Sequence, residues 1–488
     1  MYDVLVLGGG PAGVVAALRA RELGASVALV ERGRLGGSCI NDGCVPMRGL
    51  AKAARLVRDA AQCADYGLTV LQPRVNFRRL LEQVNGIVSE VHDNKELAAN
   101  LRQAGVELFE EAGAAAFTGE HRIALANGTT LEAEKFIICT GGQARRLPFP
   151  GSEHTLTASQ LWSLPELPRS VVVVGGAATG CQLASVLAAF GSSVMLIDVN
   201  PTLLASADEM LGRELTGAFQ QRGIEVVTGI GGIERVEREH GVLRVIYSRG
   251  GETFDSQAEA VFVAAGWPGN TEELNLAAAH VRTERGYIVV DEHLQSSVPH
   301  IFAAGDVNGR TMLVQSADHQ GRIAAENAVL GASRSFARPV VPYGGFTDPE
   351  YASVGLTEAQ ARAAHNCAIT IVPYTDLDRA VIDGRTRGAF KLIVNRDNHR
   401  VLGAHVVGEQ AVEVVQIVAA SMVAGMRVEQ LADLKLAYPT FTAIVGVAAR
   451  RLVRQLGAVP IAAHWRDLRQ AHVADWERIH APHDRVEA

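Results

Sequence analysis

Cysteine is scarce in this chain of 488 residues, with six in all, at positions 39, 44, 63, 139, 181 and 367. Six scattered thiols do not make the dense disulfide framework of a small secreted domain, so a close pair among them points to redox chemistry or metal binding. Long apolar runs are missing as well, and no stretch reaches the roughly 20 residues needed to span a bilayer as a helix. Charge of one sign is also lacking: 46 basic and 53 acidic side chains leave a net charge of −7, with no long basic run. That balance disfavours nucleic acid and anionic membrane surfaces as partners. Met1 runs almost at once into the apolar YDVLVLG, which leaves no room for a charged leader. The expectation is a cytoplasmic protein.

What the sequence has in quantity is glycine, 49 residues, with 48% hydrophobic residues. The length exceeds one core and suggests roughly three or four domains, and the glycines fit an α/β protein with many tight strand-to-helix turns. Two stretches overlay without a gap: YDVLVLGGGPAGVVAALRARELGASVALVE (2–31) and RSVVVVGGAATGCQLASVLAAFGSSVMLID (169–198). Gly8 matches Gly175, Gly13 matches Gly180, and Glu31 matches Asp198. Each copy reads as an apolar strand, a glycine turn, a helix with small residues and a second strand ending in an acid, which is the pattern of a dinucleotide-binding fold. The glycines let backbone amides approach a pyrophosphate, and the acid accepts a hydrogen bond from a ribose hydroxyl. In the second copy Ala177 replaces the close-approach glycine, while Asp198 favours a free 2′-hydroxyl, hence NAD(H).

Further along, 77–106 reads as helical, 107–143 as short strands, 258–271 as an apolar strand closing on a glycine turn, and 339–460 as strands followed by two apolar helices. The run ASRSFARP is the best candidate linker.

Cys39 and Cys44 lie five positions apart in GGSCINDGCVPMR. They are bystanders, half of a zinc site or a redox pair. Zinc would need two further Cys or His ligands at comparable spacing, and the other four cysteines stand alone. The stretch after Gly43 reads as a helix, which puts Cys44 in a first turn where the helix dipole favours a thiolate. A redox disulfide is the preferred reading.

With GGGPAG, GGSCINDGC, CTGG, VAAGWPGNT, IFAAGDV, FTDPEYASVGLTEAQA and LGAHVVG in this order, the chain resembles the flavin-dependent pyridine nucleotide–disulfide oxidoreductases, such as dihydrolipoamide dehydrogenase and mercuric reductase, from about residue 2 to 460. The resemblance implies two Rossmann-like dinucleotide-binding domains plus a C-terminal α+β dimerisation domain, with an FAD domain in two parts (1–143 and 273–338), an NAD(P) domain (144–272), a dimerisation domain (339–460) and a C-terminal extension (461–488). It implies FAD on Gly8, Gly10, Gly13, Glu31 and Asp306, and further cofactor contacts at Gly37, Ser38, Thr140, Gly141 and Gly266. Gly175, Gly180 and Asp198 would hold NAD. Cys44 would face the flavin as the charge-transfer thiol, Cys39 would attack the substrate, and the protein would be an obligate homodimer acting on a small or protein-bound dithiol or disulfide.

The pattern breaks at identifiable places. Where the disulfide reductases carry an acid–base histidine and a following glutamate, this chain has Tyr438 and Ala443. A phenol with a pKa near 10 is a proton donor and a poor base at neutral pH. On the nicotinamide side, the family's lysine–glutamate pair becomes Arg48 and Gln182, and the flavin-covering aromatic becomes Ala178. Arg48 would still place a positive charge near the flavin. The leading expectation is an NAD(H)-linked, FAD-dependent oxidoreductase of the dihydrolipoamide type. The alternatives are reduction of a metal ion, quinone or other small acceptor, and a non-catalytic flavoprotein that serves as a binding partner.

In the tail, Trp465, Leu468, His472, Trp476 and Ile479 share a helical face that reads as packing on the protein's own dimer. Its histidines, His464, His472, His480 and His483, read as surface residues rather than metal ligands, and His319 and His405 as structural ones.

Overall fold

The computed structural model describes residues 1–71, 73–336 and 340–458. The expectations for the tail lie outside the described residues. The described residues divide into two compact units: one within Met1–Leu203 and Phe219–Val341, the other formed by Leu204–Ala218 and the described residues from Pro342 on.

In the first unit, β1 (Tyr2–Leu7) is fully buried from Val4 on, and pairs in parallel with β2 (Val27–Val30) and with strand Thr130–Ile138. β2 pairs with β3 (Glu107–Phe109), and strand Ile301–Ala303 returns late in the chain to pair with Thr130–Ile138. Runs such as VLVL and FII are apolar on both faces because both faces of this sheet are covered, as parallel sheets require. The strand order reverses beside β1, which makes the carboxyl ends of β1 and Thr130–Ile138 a topological switch point, where such sheets bind nucleotides. Helix α1 (Pro11–Glu22) follows β1 and packs on helix Val314–Leu330. Gly321 permits that contact, since a Cβ there would stand 2.2 Å from Ala12 O.

The second nucleotide fold repeats the order: Glu225–Thr228, Ser193–Asp198, Ser170–Val174, Ala260–Val263 and Leu156–Thr157, all parallel. The region read as one helical stretch over 77–106 is two helices, α4 (Phe77–Lys95) and Leu97–Gln103, because Glu96 between them takes a left-handed backbone (φ +46°).

The second unit is built on an antiparallel sheet in the order Tyr343–Gly345, Glu350–Gly355, Val401–Gly408, Ala389–Asn395 and Cys367–Pro373. Helices Ala411–Val423 and Ala443–Gln455 pack on it. A buried ionic cluster joins the inserted segment to the sheet: Lys391 Nζ donates to Asp208 Oδ1 at 2.6 Å and to Glu358 Oε2 at 2.7 Å. His405 Nε2 donates to Leu356 O at 3.0 Å and Nδ1 lies 2.6 Å from Ser353 Oγ; burial lowers the ring's pKa, which favours the neutral form, in which Nδ1 accepts from the hydroxyl. Among the described residues, no helix is long and apolar enough to cross a membrane.

Candidate redox and nucleotide sites

The first glycine loop is shaped by contact. Gly8 (φ +102°) lies against the strand end, where a Cβ would come within 2.4 Å of Cys139 O, and one on Gly13 would stand 1.8 Å from Gly8 O. Helix α1 therefore starts hard against the strand, and its N-terminal amides have no side-chain cap. Such amides suit a pyrophosphate. Glu31 closes the loop from the side, accepting from Gly9 N at 2.6 Å and Gly33 N at 2.8 Å.

The redox loop lies on this glycine loop. Gly36 N donates to Gly9 O at 2.8 Å, and a Cβ on Gly37 would come within 2.9 Å of Gly10 Cα. Gly36 and Gly37 both have positive φ, +98° and +62°, which suits residues without a side chain. Ser38 and Cys39 follow within α2 (Gly37–Asn41), and Cys44 opens α3 (Cys44–Gln62). Asp42 anchors the turn between them, accepting from Ser159 Oγ at 2.7 Å, while its carbonyl accepts from Trp162 Nε1 at 3.0 Å.

The two thiols share a hydrogen bond. Donation from Cys39 pulls Cys44 down to about 7 against the resistance of burial, while Cys39 itself is pushed up, first by that bond and then by burial. One proton therefore stays on Cys39, and Cys44 is the thiolate. Arg48 sits one helical turn after Cys44. α3 packs on helix Ala178–Phe190, which carries Gln182.

Asp306 opens a short 3₁₀ turn after Ile301–Ala303. Burial alone pushes its carboxyl up to about 6, and its charge acts on Cys44. The turn is braced by Gln320, whose Oε1 accepts from Gly305 N at 3.0 Å and Asn308 Nδ2 at 2.7 Å. A half-buried carboxyl with so little local support fits a hydroxyl-rich ligand group. Thr140 and Gly141 are joined to the loop after Gly266 by Asn270, which donates to Thr140 O at 2.8 Å and Gly141 O at 2.9 Å.

The second glycine loop repeats the contacts of the first. A Cβ on Gly175 would stand 2.4 Å from Ala264 O, and one on Gly180 would stand 1.7 Å from Gly175 O. The following helix again lacks a side-chain cap. Asp198 is buried and accepts from Gly176 N and, at 2.6 Å, from Asn200 N. Ala177 has the same extended backbone as Gly10, with φ −84° against −75°, so the alanine fits without strain.

In the second unit Tyr438 is 75% exposed, and its hydroxyl donates to Asp378 Oδ2 at 2.6 Å. That bond raises the phenol's pKa.

The first unit thus brings together Cys39, Cys44, Gly10, Gly37 and Asp306, and holds Gly175, Gly180 and Asp198 in a fold of their own. Sequence reasoning missed Asn270 and Gln320, which brace site loops through hydrogen bonds to backbone that no local pattern announces.

Two parallel nucleotide folds, one of them with a dithiol loop laid on its glycine turn, define a two-dinucleotide disulfide oxidoreductase. The family model described as pyridine nucleotide-disulphide oxidoreductase matches residues 2–321, and that of the same family's dimerisation domain matches 341–449. The chain belongs to the pyridine nucleotide-disulphide oxidoreductases, flavoenzymes that use FAD and NAD(P). It is 33% identical to the dihydrolipoyl dehydrogenase of Geobacillus stearothermophilus over 92% of this chain and 95% of that one. It is 31% identical to the mercuric reductase of Staphylococcus aureus over 92% of this chain and 82% of that one. Among solved structures, the HOCl-induced flavoprotein disulfide reductase RclA from Escherichia coli matches with a TM-score of 0.81 and 26% identity, over 92% of this chain and 99% of that one. RclA is also matched as a Cu(II) complex.

Proposed function

We propose that this enzyme passes electrons between NAD(H) and a dithiol or disulfide substrate, as a cytoplasmic homodimer. Bound FAD would supply the two-electron relay between nicotinamide and the thiol pair. The observation that carries the reading is the pair Cys39 and Cys44 on a loop laid against the first glycine turn, with Gly36 N donating to Gly9 O at 2.8 Å. Cys44 is held as the thiolate, and Cys39 is the thiol that meets substrate. Gly8, Gly10, Gly13 and Glu31 would hold the adenosine diphosphate half of FAD, with Asp306 on its ribityl chain and Gly37, Ser38, Thr140, Gly141 and Gly266 along its length. Gly175, Gly180 and Asp198 would hold NAD, and Arg48 would add positive charge beside the flavin. Tyr438 takes the acid–base position as a proton donor.

One observation favours a second reading. The Tyr438 phenol is committed to Asp378, which weakens it as an acid. An acceptor that needs no protonation, such as a metal ion, would not feel that loss, and mercuric reductases stand among the relatives.

Anaerobic titration of the purified holoenzyme with NADH and with NADPH tests the first reading. NADH should develop a long-wavelength thiolate-to-flavin absorption band at much lower concentration than NADPH, because a 2′-phosphate would meet the Asp198 carboxylate. Lipoamide or another small disulfide should then discharge it. A band discharged by metal ions and by no disulfide would favour the second reading, and a preference for NADPH would remove NAD(H) from the proposal.

A further inference from the structure

The turn between the two redox cysteines is fastened on three sides. Ahead of α2, Gly36 N donates to Gly9 O, and Asn41 Nδ2 donates to Arg34 O at 3.2 Å and Leu35 O at 3.1 Å, so α2 is tied to the chain that leads into it. Within the turn, Asp42 N donates to Ser38 O at 3.1 Å, and a Cβ on Gly43 would stand 2.9 Å from the same carbonyl oxygen. The third fastening reaches much further along the chain. Ser159 Oγ donates to Asp42 Oδ2 at 2.7 Å, and Trp162 Nε1 donates to Asp42 O at 3.0 Å. Both donors stand on the 3₁₀ turn Ala158–Ser163, which is itself held in place. Its Leu161 is fully buried, Thr157 N donates to Gln160 Oε1 at 2.9 Å, and Leu156–Thr157 pairs with Ala260–Val263 as an edge strand of the second nucleotide sheet. Asp42 therefore ties the dithiol turn of the first nucleotide fold to the edge of the second.

We propose that Asp42 is a positioning residue for the dithiol, and that its tether sets the midpoint potential of the Cys39–Cys44 pair. The proposal rests on the reading of these two cysteines as the redox pair. Closing their disulfide requires Cα atoms roughly 4.4–6.8 Å apart with the sulfurs facing each other. A free turn in the reduced enzyme samples many arrangements and loses that freedom when the bond forms. A turn already held loses less, so the disulfide is favoured and the potential is more negative. Reduction by a small dithiol reverses the closure. The two sulfurs of the reductant join, the Cys39–Cys44 bond opens, and two electrons enter the protein pair. The two protons pass to the protein sulfurs, or to water from a sulfur that ionises. What acts is the hydrogen-bond acceptor at position 42, so an uncharged acceptor of the same shape serves equally.

The test is an equilibrium redox titration that needs no substrate. Holoenzyme is equilibrated anaerobically at neutral pH in mixtures of reduced and oxidised dithiothreitol, and the fraction of Cys39–Cys44 disulfide is counted by alkylation and mass spectrometry. Asp42→Ala should lower the equilibrium constant for closing the disulfide by about three- to tenfold, which makes the potential about 15–30 mV less negative. Ser159→Ala removes the same bond from its other end and should give a shift of the same sign and size. The double variant should shift no further than either single one, because both remove one interaction. Trp162→Phe, which lacks the indole donor, should move the potential the same way, and Asp42→Asn should keep the parent value. Parent-like potentials in Asp42→Ala and Ser159→Ala, or an Asp42→Asn shift as large as that of Asp42→Ala, would overturn the proposal. A parent that forms no Cys39–Cys44 disulfide at any dithiothreitol ratio would instead remove the reading of the pair itself, and the proposal with it.

Discussion

At the scale of single residues, the chemistry depends on which of two neighbouring sulfurs keeps a proton. Cys44 is held at about 7, first by donation from Cys39. Removing that donor in Cys39→Ala should raise the Cys44 midpoint toward its ordinary value of 9.0. A pH titration of the thiolate-to-flavin band in the oxidised-flavin holoenzyme measures this, and a midpoint that stays put would mean that the helix start, not Cys39, sets the thiolate. The thiol pair and both glycine loops were legible in the sequence because each requirement is local: a tight approach allows only glycine, and two cysteines five positions apart are conspicuous among six. Gln320 was not legible, because its bonds to Gly305 and Asn308 join a helix to a turn that no local pattern connects. Asp378 stayed hidden for the same reason, since nothing near Tyr438 in sequence signals its partner.

At the scale of elements, the buried cluster under the antiparallel sheet is the point most exposed to substitution. The Lys391 side chain is 4% exposed and that of Asp208 1%. Burial pushes the Asp208 carboxyl up, but donors from Lys391 and the Glu358 amide outweigh it and leave the pKa lowered. Lys391→Met strands that carboxylate without its cation and should cost about 3–5 kcal/mol, read as a fall in the midpoint of urea unfolding. A midpoint within error of the parent would show that the ion pair is replaceable by packing. His405 in the same cluster gives a pH test. Burial lowers its pKa below the ordinary 6.5. The unfolded chain therefore binds a proton that the folded form refuses, so stability is full above about pH 6.5 and declines as pH falls through that value. His405→Gln should lose less stability than the parent between about pH 7.5 and 5.5, and equal losses would mean that His405 does not contribute to acid sensitivity. The sequence marked His405 as a strand residue with a structural role. It gave no sign of the lysine and aspartate around it, because Asp208 comes from a segment far away in the chain.

At the scale of the whole molecule, the match of 341–449 to a dimerisation domain gives meaning to exposed apolar side chains of the second unit. Val381 and Ile382 are 59% and 54% exposed on the short helix Asp378–Ile382, whose first residue holds Tyr438. Ile382→Asp should shift the protein toward monomer in analytical ultracentrifugation at micromolar concentration, and an unchanged sedimentation profile would place the dimer contact elsewhere. The duplicated nucleotide fold was readable as an internal repeat, because both copies solve one steric problem with the same glycines. The attachment of Leu204–Ala218 to the other unit was not, since Asp208 meets the Lys391 ammonium and the Glu358 amide, both far away in the chain. That attachment has a practical consequence for anyone dividing the protein: a fragment beginning at Pro342 would carry Lys391 in its interior without Asp208, the carboxylate that belongs beside it. Expression of the fragment from Pro342 alone should yield aggregated material, and adding Leu204–Ala218 through a linker should restore a folded piece.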